Sequence, residues 1–410
     1  MRINKSNVPK LRFPEFTDAW EQRKLGDVAE LSKGQGYSKG DLRESGTPII
    51  LYGRLYTRYE TVIADVDTFV TVKEKSVFSK GGEVIVPASG ETAEDISRAS
   101  VVENTGIILS GDLNILKPKQ EIDSAFLAIT ISNGTQQTEL SKRAQGKSVV
   151  HLHNSDLQEV WLCYPKLDEQ KKLGAFFRNL DRLITLHQRK LGHLQGQKTG
   201  LLQKMFPKDG ADVPEIRFPE FTDAWEQRRL GEYSTLITKG TTPKDKSGNG
   251  TVNFVKIENI SNGAIFPVAK VSDEEHDGYL QRSKLAENDI LFSIAGTLGR
   301  TAIVDKSILP ANTNQALAII RGYDFDTNFF ITSLSGNVVS DFVRKNPTIG
   351  AQPNLSLKQI GNLRISTPCR EEQQQLGTFF AALDRLITLH QRKLKHLQEQ
   401  KKALLQQMFI

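Results

Sequence analysis

Residues that could carry out catalysis are sparse in this chain. No G-x-x-x-x-G-K-[ST] phosphate loop occurs, and the glycine-rich stretches GQGYSKG (34–40) and AGTLGRT (295–301) lack that spacing. No H-E-x-x-H motif occurs, and the two cysteines, Cys163 and Cys369, lie too far apart to form a cysteine pair of a metal site. The sequence therefore shows no sign of an ATP-driven motor, a nuclease, a methyltransferase or a hydrolase centre.

Two short polar clusters have a metal interpretation and a simpler one. His151 and His153 alternate as in a strand, so their side chains should point the same way, but two histidines alone are weak evidence for a metal. The stretch ASGETAED (88–95) groups three acids with a serine and a threonine. It fits an acidic metal site or, as we favour, a loop with a helix cap. We predict no metal site.

Positive charge is concentrated in particular segments. The 410-residue chain has a net charge of +6, but residues 27–165 carry 14 Lys and Arg against 19 Asp and Glu. Residues 232–368 are near neutral, whereas residues 170–206 hold eight basic residues and a single acid. Such a basic surface suits a polyanion such as DNA, although a solvated helix face is the usual alternative.

The chain repeats itself after about 205 residues. The block Leu11–Gly26 (LRFPEFTDAWEQRKLG) returns as Ile216–Gly231 with 14 of 16 positions identical. A longer block, Phe176–Phe206, returns as Phe379–Phe409 with 24 of 31 identical. The order is therefore opening block, filling and closing block, twice over.

The two fillings differ, and we name them head 1 (residues 27–165) and head 2 (residues 232–368). They share a Lys-Gly turn, LSKGQGYSKG (31–40) beside LITKGTTPKD (236–245). Both also end in a Gly-containing loop, an apolar pair and an S-x-L-type segment, at 144–162 and 349–365. Both are typical of mixed α/β domains. The predicted strands lie at 47–57, 81–88, 288–296 and 315–322, and the predicted helices at 124–143 and 327–345. A repeated frame with unlike contents indicates one scaffold that presents two different heads.

The closing blocks predict two long helices with heptad spacing. The apolar seam positions are Ile184, Leu191, Leu194, Leu201 and Met205, and in the second copy Ile387, Leu394, Leu397, Leu404 and Met408. We expect the helices to pair as an antiparallel coiled coil. One face of the first helix carries Gly192, Gly196 and Gly200. These glycines could allow another backbone or DNA to approach the helix closely. Alternatively, they reflect sequence drift on a solvent-exposed face.

No apolar run approaches the roughly 18–20 residues that cross a bilayer. The first residues, MRINKSNVPKLRF, also lack the apolar core of a signal peptide. We therefore expect a cytoplasmic protein without a membrane partner.

Taken in order, these features resemble the specificity (S) subunit of type I restriction-modification systems. The similarity rests on RFPEFTDAWEQRKLG, on the EEQ…FF…LD-x-L-I-x-x-x-x-x-K-L pattern (Asp168–Leu191 and Glu371–Leu394), and on LLQxMF. It covers the whole chain. The resemblance implies a mixed α/β (α+β) fold with pseudo-twofold tandem symmetry and two target recognition domains. The implied segments are 1–26, 27–165, 166–231, 232–368 and 369–410.

The resemblance also implies a function. Each head would read one half of a bipartite, asymmetric double-stranded DNA target, and the chain itself would not be an enzyme. Two methyltransferase (M) subunits and the restriction (R) subunits would be its partners. S-adenosylmethionine, ATP and magnesium would be bound by those partners and not by this chain. The repeated aromatic residues would offer the same M-subunit interface twice, or alternatively lie in the core: Phe13, Phe16, Trp20, Phe218, Phe221 and Trp225.

Base recognition needs side chains that reach the groove edges, such as Arg or Lys for guanine and Asn or Gln for adenine. The candidates in head 1 are Lys33, Gln35, Lys39, Arg54, Arg58 and Lys147. The candidates in head 2 are Lys239, Lys244, Arg300, Asn314, Gln315, Gln352 and Asn354. Arg182, Arg189 and Lys190 on the first long helix are candidates for phosphate contacts.

Two other classes remain open from the sequence. A self-contained restriction enzyme or methyltransferase would carry its own cofactor motifs, which are missing. A coiled-coil scaffold without a DNA role would show no salt-sensitive DNA binding.

Overall fold

The computed structural model describes residues 8–146, 149–208, 210–261, 263–345 and 354–409. The chain forms two compact units. Unit 1 consists of Met1–Arg189 with Gln391–Ile410, and unit 2 of Lys190–His390. Each unit thus contains one head, one opening block, the start of one long helix and the end of the other. Among the described helices, none is long and apolar enough to cross a bilayer.

The strands follow the chain as β1 (Glu21–Lys24), β2 (Ala29–Lys33), β3 (Leu42–Arg43), β4 (Thr47–Ile50), β5 (Val62–Ile63), β6 (Phe69–Val70), β7 (Phe78–Lys80), β8 (Glu83–Pro87), β9 (Ser89–Gly90), β10 (Ser100–Val102), β11 (Thr105–Leu109), β12 (Leu113–Pro118), β13 (Val150–His151), β14 (Trp161–Tyr164), β15 (Glu226–Arg229), β16 (Ser234–Lys239), β17 (Val252–Val255), β18 (Ile260–Ser261), β19 (Ala264–Ile265), β20 (Ala269–Val271), β21 (Ile290–Ser293), β22 (Thr301–Ile303), β23 (Ala311–Thr313), β24 (Leu317–Tyr323) and β25 (Arg364–Thr367). The α-helices are α1 (Leu25–Val28), α2 (Arg54–Thr57), α3 (Ala93–Ile96), α4 (Ser124–Ile131), α5 (Gly134–Arg143), α6 (Asn154–Gln158), α7 (Leu167–Met205), α8 (Asp273–Asp277), α9 (Thr327–Ser335), α10 (Asn337–Lys345), α11 (Leu357–Gly361) and α12 (Arg370–Met408).

Head 1 is built on two five-stranded sheets, ordered β2-β12-β8-β10-β5 and β3-β6-β4-β11-β7. In the first sheet, β12 pairs antiparallel with β2 and β8, and β8 pairs antiparallel with β10. Helix α4 is buried almost throughout and shares a core with β8 and β10 through Phe126, Val84 and Val101. Its first turn is capped by Asp123, whose carboxylate accepts a hydrogen bond from the backbone nitrogen of Phe126 at 2.9 Å.

Head 2 has a four-stranded sheet ordered β16-β24-β21-β22 and a three-stranded sheet ordered β20-β17-β23. The pairs β16–β24, β24–β21 and β21–β22 are all antiparallel, and β17 pairs parallel with β23. Helix α9 takes the position that α4 has in head 1. It is capped by Asp326, which accepts from the backbone nitrogen of Phe329 at 2.9 Å.

The two heads share a core topology that their sequences hide. Strands β2, β12, β8 and β10 correspond in order and direction to β16, β24, β21 and β22. The antiparallel pair β1–β14 likewise corresponds to β15–β25. The two heads are therefore the same kind of domain with different sequences. This confirms the prediction of a mixed α/β fold in a tandem repeat.

Several predicted elements differ from the structure in extent. The segment 47–57 is a strand only through Ile50, and the chain then turns into α2. Each predicted head helix is split in two, by Gly134 with a φ of +69° in head 1 and by Gly336 in extended conformation in head 2. The long helices each have 39 residues, beginning nine residues before the repeated block. Their extra turns pack into the heads through Leu173 and Leu376.

In unit 1 the opening block packs against the start of α7 and the end of α12. The Trp20 ring contacts Phe126 and Phe409, and the Leu11 nitrogen donates to the Gln407 carbonyl at 2.9 Å. Phe177 of α7 packs on Phe409, which directly follows α12. Asp181, four residues after Phe177, pairs with Lys401, which lies eight residues before Phe409. The two helical segments are therefore antiparallel, as predicted.

Unit 2 repeats this arrangement with the roles of the helices exchanged. Phe206 at the end of α7 packs on Trp225 and on Phe380 of α12. Lys198 of α7 lies 2.6 Å from Asp384 of α12, again in antiparallel order. The predicted seam positions Leu194, Met205, Leu397 and Met408 are buried.

Candidate nucleic-acid interface

One end of the head 2 sheet gathers most of the predicted DNA-contacting side chains. Strand β16 ends at Lys239, which pairs with Ala318 near the start of β24. Strand β21 ends at Ser293, which pairs with Leu317, and β22 begins beside it. The loops that leave these strand ends therefore meet at one edge. We call this end of each head sheet the Lys-Gly edge.

Backbone contacts draw the loops of head 2 together at the Lys-Gly edge. The Ile294 nitrogen donates to the Ala316 carbonyl at 2.9 Å, and Ala295 forms an antiparallel bridge with Asn354. The loop between β21 and β22 is closed by Ser293, whose hydroxyl accepts from the Arg300 nitrogen at 2.7 Å. Five predicted residues lie at this edge: Lys239, Arg300, Asn314, Gln315 and Asn354. All are exposed except Asn314, which is half-buried.

Head 1 has the same edge with other side chains. Strand β2 ends at Lys33, and the following Gln35 donates its backbone N–H to the Leu109 carbonyl at 3.1 Å. Ala88, just after β8, donates to the Asp112 carbonyl at 2.9 Å, which matches the Ile294 contact of head 2. Lys33, Gln35 and the nearby Lys39 are exposed. The Lys-Gly turns are thus equivalent in space as well as in pattern.

The glycine of each Lys-Gly turn is required by close backbone approach. A Cβ on Gly34 would lie 2.0 Å from the Ser110 carbonyl oxygen, and a Cβ on Gly240 would lie 2.2 Å from the oxygens of Thr313 and Asn314. No side chain fits at such distances. The glycine therefore allows the loop after the first sheet strand to pack on the turn that precedes β12 or β24.

The loop between β8 and β10 in head 1, and the equivalent loop between β21 and β22 in head 2, give the two edges different charges. In head 2 it is short and ends with Arg300. In head 1 it contains α3, and Thr92 caps this helix by accepting from the Asp95 nitrogen at 3.1 Å. The helix-cap interpretation of this acidic stretch is therefore the one that the geometry supports. Glu91, Glu94 and Asp95 make this part of the head 1 edge acidic.

Some predicted base-contacting residues are already engaged by neighbouring groups. Arg54 has a side chain only 9 % exposed and bonds Glu60 at 2.7 Å and Asp67 at 3.2 Å. Arg58 shares Asp67 at 2.8 Å but is 44 % exposed. The Lys244 ammonium lies 4.6 Å from the centre of the Tyr279 ring. Two further candidates, Lys147 and Gln352, lie outside the described residues.

The first half of α7 packs beside the first sheet of head 1. Arg178 pairs with Glu103 at 3.1 Å, just beyond the far end of β10, and Asp181 accepts from Thr61. Thr61 precedes β5, and Val62 of β5 pairs in parallel with Val101 of β10, so this stretch of α7 runs beside the edge strand β5. Arg182 and Arg189 are exposed and line an open groove of about 1700 Å³ in unit 1. Lys190 is exposed in unit 2.

The predicted aromatic anchors divide into buried and accessible groups. Trp20 and Trp225 are each 3 % exposed and belong to the cores of their own units, so the core alternative accounts for them. Phe13 packs edge-on against Phe176, and Phe218 packs the same way on Phe379. These two phenylalanines stay half-buried, as do Phe16 and Phe221. The accessible part of the repeated aromatic set is therefore the four phenylalanines.

A second apolar stripe lies off the heptad seam, so heptad spacing does not predict it. Leu183 and Leu186 of α7 are 45 % and 60 % exposed, and their repeats Leu386 and Leu389 of α12 are 46 % and 60 % exposed. Phe176 and Phe379 continue the stripe at 37 % and 39 %. The identical DRLITLH sequence in both blocks carried this signal, because its leucines fall off the seam.

The metal interpretations find no support in the described parts of the chain. No group of three or more His, Cys, Asp or Glu side chains there is arranged to hold a metal ion. His151 and His153 do point the same way, with parallel rings whose centroids are 6.5 Å apart. The Ser89 hydroxyl lies 3.1 Å from Nδ1 of His151.

Comparison with known proteins identifies the family of this chain. The family model described as "Type I restriction modification DNA specificity domain" matches residues 17–195 and again residues 222–399. The chain is 22 % identical to the type I restriction enzyme MjaVIII specificity subunit of Methanocaldococcus jannaschii, over 96 % of this chain and 92 % of that protein. It is 28 % identical to the EcoBI specificity subunit of Escherichia coli over 56 % and 52 % of the two chains.

Solved structures agree on the fold. The crystal structure of the type I restriction-modification S subunit from M. genitalium aligns with a TM-score of 0.63 at 15 % identity, covering 98 % of this chain and 99 % of that one. A structure from a study of complex assembly in a type I system aligns with a TM-score of 0.52 at 17 % identity, covering 94 % and 96 %. The two family matches together span most of the sequence, and they coincide with the two heads and their helices. This chain therefore belongs to the type I restriction-modification DNA specificity family.

Proposed function

We propose that this chain is the DNA-recognition subunit of a type I restriction-modification complex, in which each head reads one half of a bipartite, asymmetric target. One observation carries the proposal. Two heads of the same topology present different polar side chains at the same Lys-Gly edge. A shared scaffold with different edge chemistry is what two different half-sites require.

The edge side chains suit direct readout of bases in the major groove. In head 2, Arg300 can donate two hydrogen bonds to guanine, and Asn314, Gln315 or Asn354 can pair with adenine. In head 1, Lys33, Lys39 and Gln35 offer the corresponding contacts. A well-placed bidentate contact discriminates against a wrong base by about 1–3 kcal/mol.

The basic residues of α7 have a different role in this proposal. Arg182 and Arg189 line the groove of unit 1 and do not belong to the loops at the head 1 edge, so they are assigned to phosphates and not to bases. Together with Lys190, they would add affinity without sequence information, and that affinity would fall as salt rises.

The partners are two methyltransferase subunits and the restriction subunits. The groove of unit 1 is lined by the apolar side chains of Leu183, Leu186 and Val62 and by the basic side chains of Arg178 and Lys402. An amphipathic segment of a methyltransferase subunit fits such a surface, because its apolar face would cover the leucines. The same leucine pair is exposed in unit 2, so the interface is offered twice.

Catalysis belongs to the partner subunits, as the naming of the relatives as specificity subunits indicates. S-adenosylmethionine, ATP and magnesium would be bound there. A role on chromosomal DNA implies a cytoplasmic location.

The test of recognition is genome-wide mapping of adenine methylation in cells that carry this chain with its methyltransferase subunit, compared with cells lacking this chain. We expect a split motif, two short defined halves around a fixed gap. Replacing residues 27–165 with the head of a relative should change one half and leave the other. Loss of the motif dependence on this chain, or methyl transfer by the purified chain alone, would refute the proposal.

The test of the docking surface uses Leu186→Arg in unit 1 and Leu389→Arg in unit 2. Each single variant should bind one methyltransferase subunit instead of two, and the double variant none, as measured by native mass spectrometry. Val268→Arg is the matched control, because Val268 is 85 % exposed in head 2 and lies outside the stripe. Two bound subunits on the double variant would exclude this surface.

A further inference from the structure

Each head has a loop that leaves its Lys-Gly edge and is held by a second loop. In head 1 the edge loop covers residues 34–41 and meets residues 71–77, which follow β6. In head 2 the edge loop covers residues 240–250 and meets residues 272–280, which follow β20. Strands β6 and β20 occupy equivalent places in the two heads. In head 1, β6 pairs antiparallel with β4, which pairs parallel with β11. In head 2, β20 pairs antiparallel with β17, which pairs parallel with β23.

In head 1 the holding contact centres on Tyr37. Its hydroxyl lies 2.6 Å from the Ser76 hydroxyl and accepts from the Lys73 backbone nitrogen at 2.7 Å. The Lys73 ammonium lies 4.7 Å from the centre of the Tyr37 ring and 2.5 Å from the Asp41 carboxylate. The hydrogen bond from Lys73, and then that from the Ser38 backbone, lower the pKa of Asp41 to about 2. The predicted contact residue Lys39 lies between the two anchored positions.

In head 2 the holding contact centres on Lys244. Its ammonium lies 4.6 Å from the centre of the Tyr279 ring, and its backbone nitrogen donates to the Glu275 carboxylate at 2.7 Å. The same carboxylate oxygen accepts from the Asp245 nitrogen at 3.3 Å. The Tyr279 hydroxyl makes no hydrogen bond within the described ranges, so its ring alone contributes.

The two heads therefore use the same contact, a lysine ammonium over a tyrosine ring, with the two residues exchanged between the loops. In head 1 the edge loop supplies the tyrosine and the second loop the lysine, and in head 2 the edge loop supplies the lysine and the second loop the tyrosine. The segments show no repeat in sequence at these positions, so the repeated blocks do not explain the likeness. An ammonium over an aromatic face is attracted by the ring's electrons even at an exposed site.

We propose that Tyr37 and Tyr279 are positioning residues, each of which fixes the edge loop of its head in the conformation that discriminates between bases. The inference rests on the proposed function. A loop that is already ordered loses less conformational entropy when it binds DNA, and it keeps its polar groups aligned with one pattern of base edges. A freed loop can adapt to wrong bases, so its head discriminates less well.

The experiment measures methylation rates of the assembled complex with its methyltransferase subunit, on duplexes with the cognate target or with single-base changes in one half. Which head reads which half is known beforehand from the head replacement described above. Tyr279→Leu should reduce the cognate-to-mismatch rate ratio about two- to fivefold in the half read by head 2. The ratio in the other half should stay unchanged, which serves as the internal control.

Conservative variants separate positioning from a general loss of structure. Tyr279→Phe should restore discrimination, because the ring is kept and the hydroxyl is unused. Tyr37→Phe should lower discrimination in the half read by head 1, because the bonds to Ser76 and Lys73 are lost. If Tyr279→Leu fails to fold, Glu275→Ala removes the acceptor of the Lys244 and Asp245 backbone nitrogens, so it frees the same edge loop and must have the same effect.

The proposal is overturned if Tyr279→Leu or Glu275→Ala leaves the ratio unchanged, or if both halves lose discrimination equally. These outcomes differ from failure of the proposed function itself. In that case the wild-type complex would methylate duplexes without dependence on either half.

Discussion

The buried ion pair between the opening block and α7 gives the sharpest test of how unit 1 is held together. Arg12 donates from Nε and Nη2 to the two Glu169 oxygens, each at 2.6 Å. The side chains are 11 % and 2 % exposed. This carboxylate raises the pKa of Arg12, so the guanidinium stays charged at any accessible pH. Glu169→Gln keeps the volume but leaves that charge without a counterion.

The magnitude follows from this burial. Removing one partner of a buried pair costs 3–5 kcal/mol, and the glutamine can still accept one hydrogen bond, so we expect a loss of about 3 kcal/mol in the free energy of unfolding. With a urea m-value of about 2 kcal/mol/M, the unfolding midpoint should fall by about 1.5 M. The emission of Trp20, which lies in the same unit, can follow the transition.

The control is Glu15→Gln, which removes the partner of Lys172 and so breaks another contact between the same two segments. This pair is about half exposed on both sides, and the midpoint should barely move. Unit 2 offers a replicate, because Arg217 and Glu372 repeat the bidentate pair at 2.8 and 2.7 Å. Equal midpoints for Glu169→Gln and Glu15→Gln would refute the reasoning.

Three further predictions concern the helices and the thiols. Gly196→Ala should stabilise unit 2 by up to about 1 kcal/mol, measured by urea unfolding, because a Cβ there meets open space and glycine disfavours helix; a lower stability would indicate that the glycine is needed. Lys401→Met should destabilise unit 1 by about 1–2 kcal/mol, because Asp181 loses its half-buried partner, and an unchanged unfolding midpoint would contradict this. Burial raises the pKa of the Cys163 thiol, so at pH 8 only Cys369 should react quickly with a thiol reagent in the native protein, and two fast thiols would be the contrary result.

The repeat and the helix seam were accessible from the sequence because both depend on local periodicity. The buried seam positions Leu194 and Leu397 follow from heptad spacing alone. The shared topology of the heads was not accessible, because short strands such as β10 and β22 pair through backbone atoms and tolerate unrelated side chains. The close approach at Gly34 and Gly240 did leave a common mark in both sequences.

The sequence shows which residue types could form the candidate interface, but it does not show which of them are already paired with other side chains of the protein. Arg300 and Gln315 were proposed because polar loop residues are easy to recognise, and their contact with DNA stays a prediction. The ion pairs of Arg54 depend on Asp67, 13 residues away, and spacing does not predict such a contact. Trp20 presents the same difficulty, because its partner Phe409 is nearly the whole chain away.

The closure of unit 1 by the end of α12 has a consequence for biosynthesis. Unit 2 is one continuous stretch and can fold as it leaves the ribosome, whereas unit 1 lacks residues 391–409 until they are made. At about 5–20 residues per second, Phe409 is made about 12–46 s after Phe177, the last of the residues Trp20, Phe126 and Phe177 that surround it. The half of the molecule that is synthesised first is therefore completed last. A truncation of a few C-terminal residues would first damage the core of the N-terminal head.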